Sequence, residues 1–178
     1  MEQLVKQLEE KALTFDELDM IVRNKYPIVR YSDLGNYQSI EELVKGGIVL
    51  YYPIQSKTSG HYCALFLKDA KSLYYFDSYG LTITGDILFS EYLMSDENKT
   101  VRHYLPDLIQ NFKQRGGTIL INPYRFQSMN GDISTCGRHS AIRLLFKDLD
   151  HEQYNKLFKY KNLSNDDLIT LLTIPFRV

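Results

Sequence analysis

Cys136 follows Ser134 and Thr135, either of which can cap a helix, and leads into Ala141, Ile142, Leu144, Leu145 and Phe146 at helical spacing. The pattern places a thiol at a helix start. Unbonded first-turn N–H groups and the positive end of the helix dipole favour an anion there, so this thiol should ionise more readily than a free cysteine. A base is offered by His61, which opens the apolar run Tyr62 to Leu67. A polar break at 68–72 and a second strand, Leu73 to Asp77, complete a hairpin. With residue 69 at the centre of the turn, Leu65 faces Leu73, Cys63 faces Tyr75 and His61 faces Asp77. Opposed residues of antiparallel strands have Cβ atoms about 4.5 to 5.5 Å apart, within reach of a carboxylate accepting from an imidazole N–H. Thiol, imidazole and carboxylate together are the equipment of nucleophilic catalysis.

The remaining reactive side chains fit this scheme less well. Cys63 lies mid-strand among Ala64, Leu65 and Phe66, which predicts burial and a raised pKa. His139, one helical turn after Cys136, can touch a substrate or donate to a main-chain carbonyl. As a Cys-x-x-His pair without a second pair it does not make a closed zinc site, and no metal or cofactor is expected. His103 and His151 are expected on solvated helix surfaces.

The elements that must position these groups are short. Residues 2–12 predict a helix, and Thr14-x-x-Glu17 is a capping box opening a second one that Pro27 ends. A loop over 32–37, a short helix over 39–45 stopped by Gly46-Gly47, and a buried central strand over 48–52 follow. After a polar loop at 55–60 comes the hairpin. The irregular stretch 80–98 is a candidate wall for a groove. Residues 100–113 predict a helix kinked at Pro106, 118–122 a strand, and 151–160 and 164–173 a helical tail whose last helix is capped by Ser164. The class expected is α+β, with a central mixed or antiparallel sheet packed against helices and the cysteine at the N-terminus of a central helix.

All of this fits one domain spanning 1–178, with an N-terminal helical segment (1–46), a core (47–146) and a helical tail (147–178). The 21 basic residues balance 22 acidic ones, so no global field holds nucleic acid, and Lys99, Arg102, Lys113 and Arg115 form the only local basic cluster. No apolar run reaches the roughly 20 residues that span a bilayer. Two cysteines and an opening without a signal-peptide pattern suit a reducing, intracellular location.

Gly60-His61-Tyr62, Tyr75-Phe76-Asp77-Ser78-Tyr79-Gly80, Gln127 and Ser134-Thr135-Cys136-Gly137-Arg138-His139 resemble the adenain-like cysteine proteases. This family comprises viral maturation proteases of adenoviruses, virophages, Polinton-type elements and large DNA viruses, with distant relatives that remove ubiquitin-like modifiers. The resemblance covers roughly residues 47 to 146 and implies a papain-like or adenain-like fold. It implies Cys136 as nucleophile, His61 as general base and then acid, Asp77 as the group orienting the imidazole, and a side-chain amide donating to the oxyanion. Gln127 fits that last role by residue type, although it lies nine positions before Cys136 rather than six or seven; Asn130 fits by spacing. Tyr62 stands where the family usually has Trp. The implied function is an endopeptidase that cuts capsid and core precursors after small residues during virion maturation, in the virion and the host cytoplasm. Implied partners are those protein substrates and an activating peptide; the near-neutral charge predicts no strong nucleic-acid binding, and a monomer without membrane binding is expected. The competing functions are a ubiquitin-like-modifier isopeptidase, an acetyltransferase on the same fold, and a non-enzymatic structural protein.

Overall fold

The apolar hairpin is the middle of a five-stranded sheet in a computed structural model that describes residues 2–53, 60–83 and 103–177. Strands β1 (Ile28–Arg30), β2 (Ile48–Pro53), β3 (Gly60–Asp69), β4 (Ser72–Phe76) and β5 (Thr118–Ile121) lie in chain order. The two inner pairings, β2 with β3 and β3 with β4, are antiparallel, whereas β1 and β5 join the edges in parallel. The class is α+β.

Helices cover both faces. Tyr62, Ala64 and Phe66 of β3 with Tyr74 and Phe76 of β4 pack against α2 (Phe15–Ile21), α5 (Cys136–Leu145), α6 (His151–Lys156) and α7 (Asn165–Thr173). Cys63, Leu65, Leu73 and Tyr75 face the other way, onto a 3₁₀ turn (Tyr31–Asn36), α3 (Ile40–Leu43) and α4 (Tyr104–Gln114). With both faces covered, Tyr62 to Phe66 are all buried rather than alternating between core and solvent. Each fully buried Leu, Ile or Phe contributes about 1.5 to 3 kcal/mol, so the sheet is the stable platform of the molecule. The guanidinium of Arg143 lies 5.1 Å from the Phe66 ring centre and 4.6 Å from those of Tyr74 and Tyr154, and it donates to the carbonyls of Phe146 and Leu149 just past α5. That contact fixes the C-terminal end of the cysteine helix.

Local signals hold where chemistry is local. Thr14 and Ser164 cap α2 and α7 through reciprocal capping boxes, and Ser39 caps α3 by accepting from the Glu42 N–H. Helix α1 (Glu2–Glu10) is shorter than the pattern over 2–12, and α2 stops well before Pro27, where Arg23 and Asn24 turn left-handed at φ +56° and +52°. Pro106 does not kink α4, because it stands in the first turn, where no intrahelical N–H bond is lost. The short parallel strand β1 leaves no signal in the sequence, because three residues carry no readable period. The polar loop at 55–59, the groove wall expected over 84–98, and Lys99 and Arg102 lie outside the described residues. Arg115 forks onto Glu41 at 2.8 and 2.9 Å, which commits one member of the basic cluster. Among the described residues no helix is long and apolar enough to cross a membrane.

The hairpin register differs from the expected one. Leu67 pairs with Leu73 and Leu65 with Tyr75, with an irregularity between Leu67 and Asp69 that places a bulge at Lys68. Asp69 and Ser72 close the turn, and the Asp69 carboxylate accepts from the Lys71 N–H at 2.8 Å. The strands are therefore offset by two residues, and Asp77 is not directly opposite His61.

Candidate active site

His61 and Asp77 meet despite that offset, since a shift of two keeps each side chain on its own face of the sheet. The imidazole Nε2 donates to Asp77 Oδ2 at 2.5 Å, with both side chains buried. The second carboxylate oxygen accepts from the Tyr79 and Leu81 N–H groups at 2.8 and 3.4 Å. The Asp77 N–H donates to Asn122 Oδ1 at 2.9 Å. A tight turn follows, closed by the Gly80 N–H on the Asp77 carbonyl at 3.0 Å, and Gly80 takes a φ of +72° that an L side chain resists. The Tyr79 ring stacks on His61 with centroids 5.2 Å apart, and Tyr52 meets the imidazole edge-on at 5.5 Å. These contacts hold the ring in one plane and one tautomer, leaving Nδ1 for another partner.

That partner is Cys136, the partly exposed first residue of α5, whose thiol hydrogen-bonds with the His61 ring. Burial opposes ionisation of the thiol, but the His61 charge, the hydrogen bond to that ring and the backbone N–H groups of Tyr62 and Gly137 outweigh it and lower the pKa. Burial likewise works against the imidazolium, and the facing thiolate together with the Asp77 carboxylate overrides it and raises the His61 pKa. The pair is thus biased towards thiolate and imidazolium. Close approach of α5 to its neighbours makes this possible: a Cβ on Gly137 would lie 3.1 Å from Leu18 and 3.3 Å from Tyr62. Ser140 ties the helix to β3 by donating to the Tyr62 carbonyl at 3.0 Å.

The expected cap is absent. Thr135 occupies the N-cap position without a capping bond, and its hydroxyl donates to Asp166 Oδ1 at 2.5 Å instead. The first turn is therefore left to stabilise charge at Cys136. Gln127 is buried, with Nε2 donating to the Ile133 carbonyl at 3.1 Å in the loop entering Cys136. Asn130 is exposed, and its side-chain oxygen accepts from the Asp132 N–H at 3.4 Å within its own turn. Cys63 is fully buried on the far face of β3 from Tyr62. His139 touches neither substrate space nor a carbonyl; it is buried, with Nε2 on Asp166 at 3.3 Å, and burial lowers its pKa. His151 is not simply solvated, since its Nδ1 and the Tyr74 hydroxyl share a hydrogen bond at 2.8 Å, while His103 sits exposed at the start of α4. Among the described residues no group of three or more His, Cys, Asp or Glu side chains is disposed to hold a metal ion.

No protein-family model matches the chain. The uncharacterized protein V9 of the Sputnik virophage is 31% identical to it over 177 residues, covering 96% of this chain and 98% of V9. The chain belongs to the V9 family. The V9 match runs nearly end to end and is not confined to the stretch around His61 and Cys136.

In this V9-family chain the outlying helices are wired to the cysteine loop. The Ser134 N–H donates to the Glu9 carbonyl at 2.7 Å, and Arg138 donates to the Leu8 carbonyl at 3.0 Å and to Thr173 at 2.8 Å. Asp166 accepts from the Ser128 N–H at 2.9 Å as well as from Thr135. Asp166, Ser78, Tyr79 and Asn122 thus hold positions at the site that no local motif assigns them. Their partners are distant in the chain; the available signal was that Ser78 and Asn122 are polar residues lying just past the ends of β4 and β5.

Glu9 is buried at 7% exposure, with one carboxyl oxygen lacking a partner. Burial, then the hydrogen bond to Asp167 and the charges of Asp167 and Asp166, raise its pKa from 4.5 to about 7, with Lys6 opposing. A raised carboxyl pKa means that the folded state holds a proton the unfolded chain releases, so stability falls as pH rises from 4.5 through about 7. Glu9→Gln should flatten this part of the stability profile and be the more stable form at mildly alkaline pH. Urea midpoints on both sides of the window test this, and parallel profiles for variant and wild type would refute it.

Proposed function

We propose that this V9-family protein is a cysteine endopeptidase of virion maturation, with Cys136 as nucleophile, His61 as proton carrier and Asp77 as its orienting carboxylate. The observation that carries the reading is the buried 2.5 Å contact between His61 and Asp77 beside the thiol of Cys136, a partly exposed residue at an uncapped helix start. The thiolate adds to a peptide carbonyl carbon, forming a C–S bond while the carbonyl π pair moves onto oxygen. Collapse of that oxyanion breaks the C–N bond, and the His61 imidazolium gives its proton to the departing amine. Neutral His61 then takes a proton from water as the water adds to the thioester, and cleavage of the C–S bond regenerates the thiolate. The oxyanion is stabilised by the backbone N–H of Cys136 and by the Gln127 amide, one of whose two hydrogens is used by Ile133. Gln127 is preferred to Asn130 because it is buried and held at the cysteine loop.

The substrates are capsid and core precursors, cut after small residues, in the virion and the host cytoplasm. Kinship with a virophage protein supports the viral setting, and the resemblance of the motifs around His61, Asp77 and Cys136 to adenain-like proteases supports the reaction and the use of an activating peptide. No cofactor takes part. Quenched precursor peptides with internal Gly or Ala sites should be cleaved by wild type and not by Cys136→Ala. Cleavage of ubiquitin-like-modifier conjugates alone would transfer the assignment to an isopeptidase.

A further inference from the structure

We propose that Ser78 is a positioning residue that sets the orientation of the Gln127 amide, an assignment resting on the endopeptidase reading above. Ser78 directly follows Asp77 and is fully buried. Its carbonyl accepts from the N–H groups of Phe126 and Gln127 at 2.8 and 2.9 Å, which fastens that segment to the turn carrying the orienting carboxylate. Its hydroxyl donates to Gln127 Oε1 at 2.7 Å.

A primary amide has two ends of nearly equal size and opposite hydrogen-bonding sense, so its orientation is set by its partners. The Ile133 carbonyl can only accept, which requires Nε2 at that end. Oε1 therefore faces Ser78, and the serine hydroxyl must donate. The outcome is an NH2 group turned towards the loop that enters Cys136, with one hydrogen on Ile133 and the second available to a developing oxyanion. Without the hydroxyl, Oε1 is buried with its partner removed and the amide is free to turn. One tight turn, Asp77 to Gly80, thus positions both the carboxylate behind His61 and the amide donor.

The test separates chemistry that creates an oxyanion from chemistry that does not. Peptide hydrolysis does; alkylation by iodoacetamide displaces iodide at a saturated carbon and does not. Ser78→Ala should lower kcat about 10- to 30-fold with KM within about twofold, a partial version of the roughly 10²-fold loss expected for Gln127→Ala. Alkylation of Cys136 should stay within about twofold of wild type, since the thiolate and imidazolium are untouched. The double variant should be no slower than Gln127→Ala, because Ser78 acts through that amide. Ser78→Thr, which keeps the hydroxyl, should retain most of the turnover, and it carries the test if the alanine variant does not fold. Additive losses, a parallel fall in alkylation, or a threonine variant as impaired as alanine would each overturn the inference. A wild type that hydrolyses no peptide would remove the endopeptidase reading and this inference together, whereas an active wild type with an unaffected Ser78→Ala removes the inference alone.

Discussion

His61→Ala should reduce peptide turnover by about 10⁴-fold or more, with alkylation of Cys136 slowed in parallel. The imidazole has two duties. Its charge holds the thiol in the thiolate form, against the burial that favours the neutral thiol, and its proton leaves with the amine. Removing it returns the thiol to an environment that resists ionisation and leaves the leaving group without an acid. A steady-state assay on a quenched peptide and intact-mass mapping after a low dose of iodoacetamide check the two duties separately. Wild type should be labelled at Cys136 long before the fully buried Cys63. Equal labelling of the two cysteines, or a variant labelled as fast as wild type, would show that His61 does not activate the thiol.

Asp77→Asn should cost about 10²- to 10⁴-fold in turnover while leaving the fold intact, and the reason lies in which end of the new amide goes where. The Tyr79 and Leu81 N–H groups require an oxygen at the Oδ1 position. The NH2 end must then face His61 Nε2, which becomes an acceptor and sends the ring proton to Nδ1, the atom that should receive from Cys136. The pH profile carries the same information. Thiol and imidazole titrate as a coupled pair in two steps. The acid step, formation of the thiolate, lies below the ordinary thiol value of 9.0, and the basic step, loss of the imidazolium, lies above the ordinary imidazole value of 6.5. Wild-type activity should therefore rise as the thiolate forms and fall as the imidazolium is lost, tracing a bell. Because the Asp77 carboxylate helps to hold the imidazolium, the asparagine variant should show its alkaline limb displaced downward. An unchanged alkaline limb would mean that Asp77 is not coupled to the reacting pair.

The same two residues show how far a linear reading reaches. His61 and Asp77 were expected to face each other from a register that the structure corrects by two positions, yet the contact forms. An offset by an even number of residues preserves which face each side chain occupies, so the apolar pattern of β3 and β4 is equally satisfied by both registers. The pattern therefore identifies the partners without identifying the pairing. The two-residue turn closed by Asp69 and Ser72, with the bulge at Lys68, decides between them.

Residue types and local spacing by themselves determined the α+β class, the capping box at Thr14, the cap at Ser164, and the position of Cys136 at a helix start. Each depends on interactions within about one turn of helix or one strand, which sequence neighbours carry. Tertiary structure alone decided that Thr135 bonds Asp166 rather than capping its helix, that Ser78 meets the Gln127 amide, and that the N-terminal helix clamps the cysteine loop through the Leu8 and Glu9 carbonyls. A hydroxyl, an amide or a carbonyl pairs with whatever donor or acceptor burial brings to it, and which one that is depends on how distant segments close over a shared core.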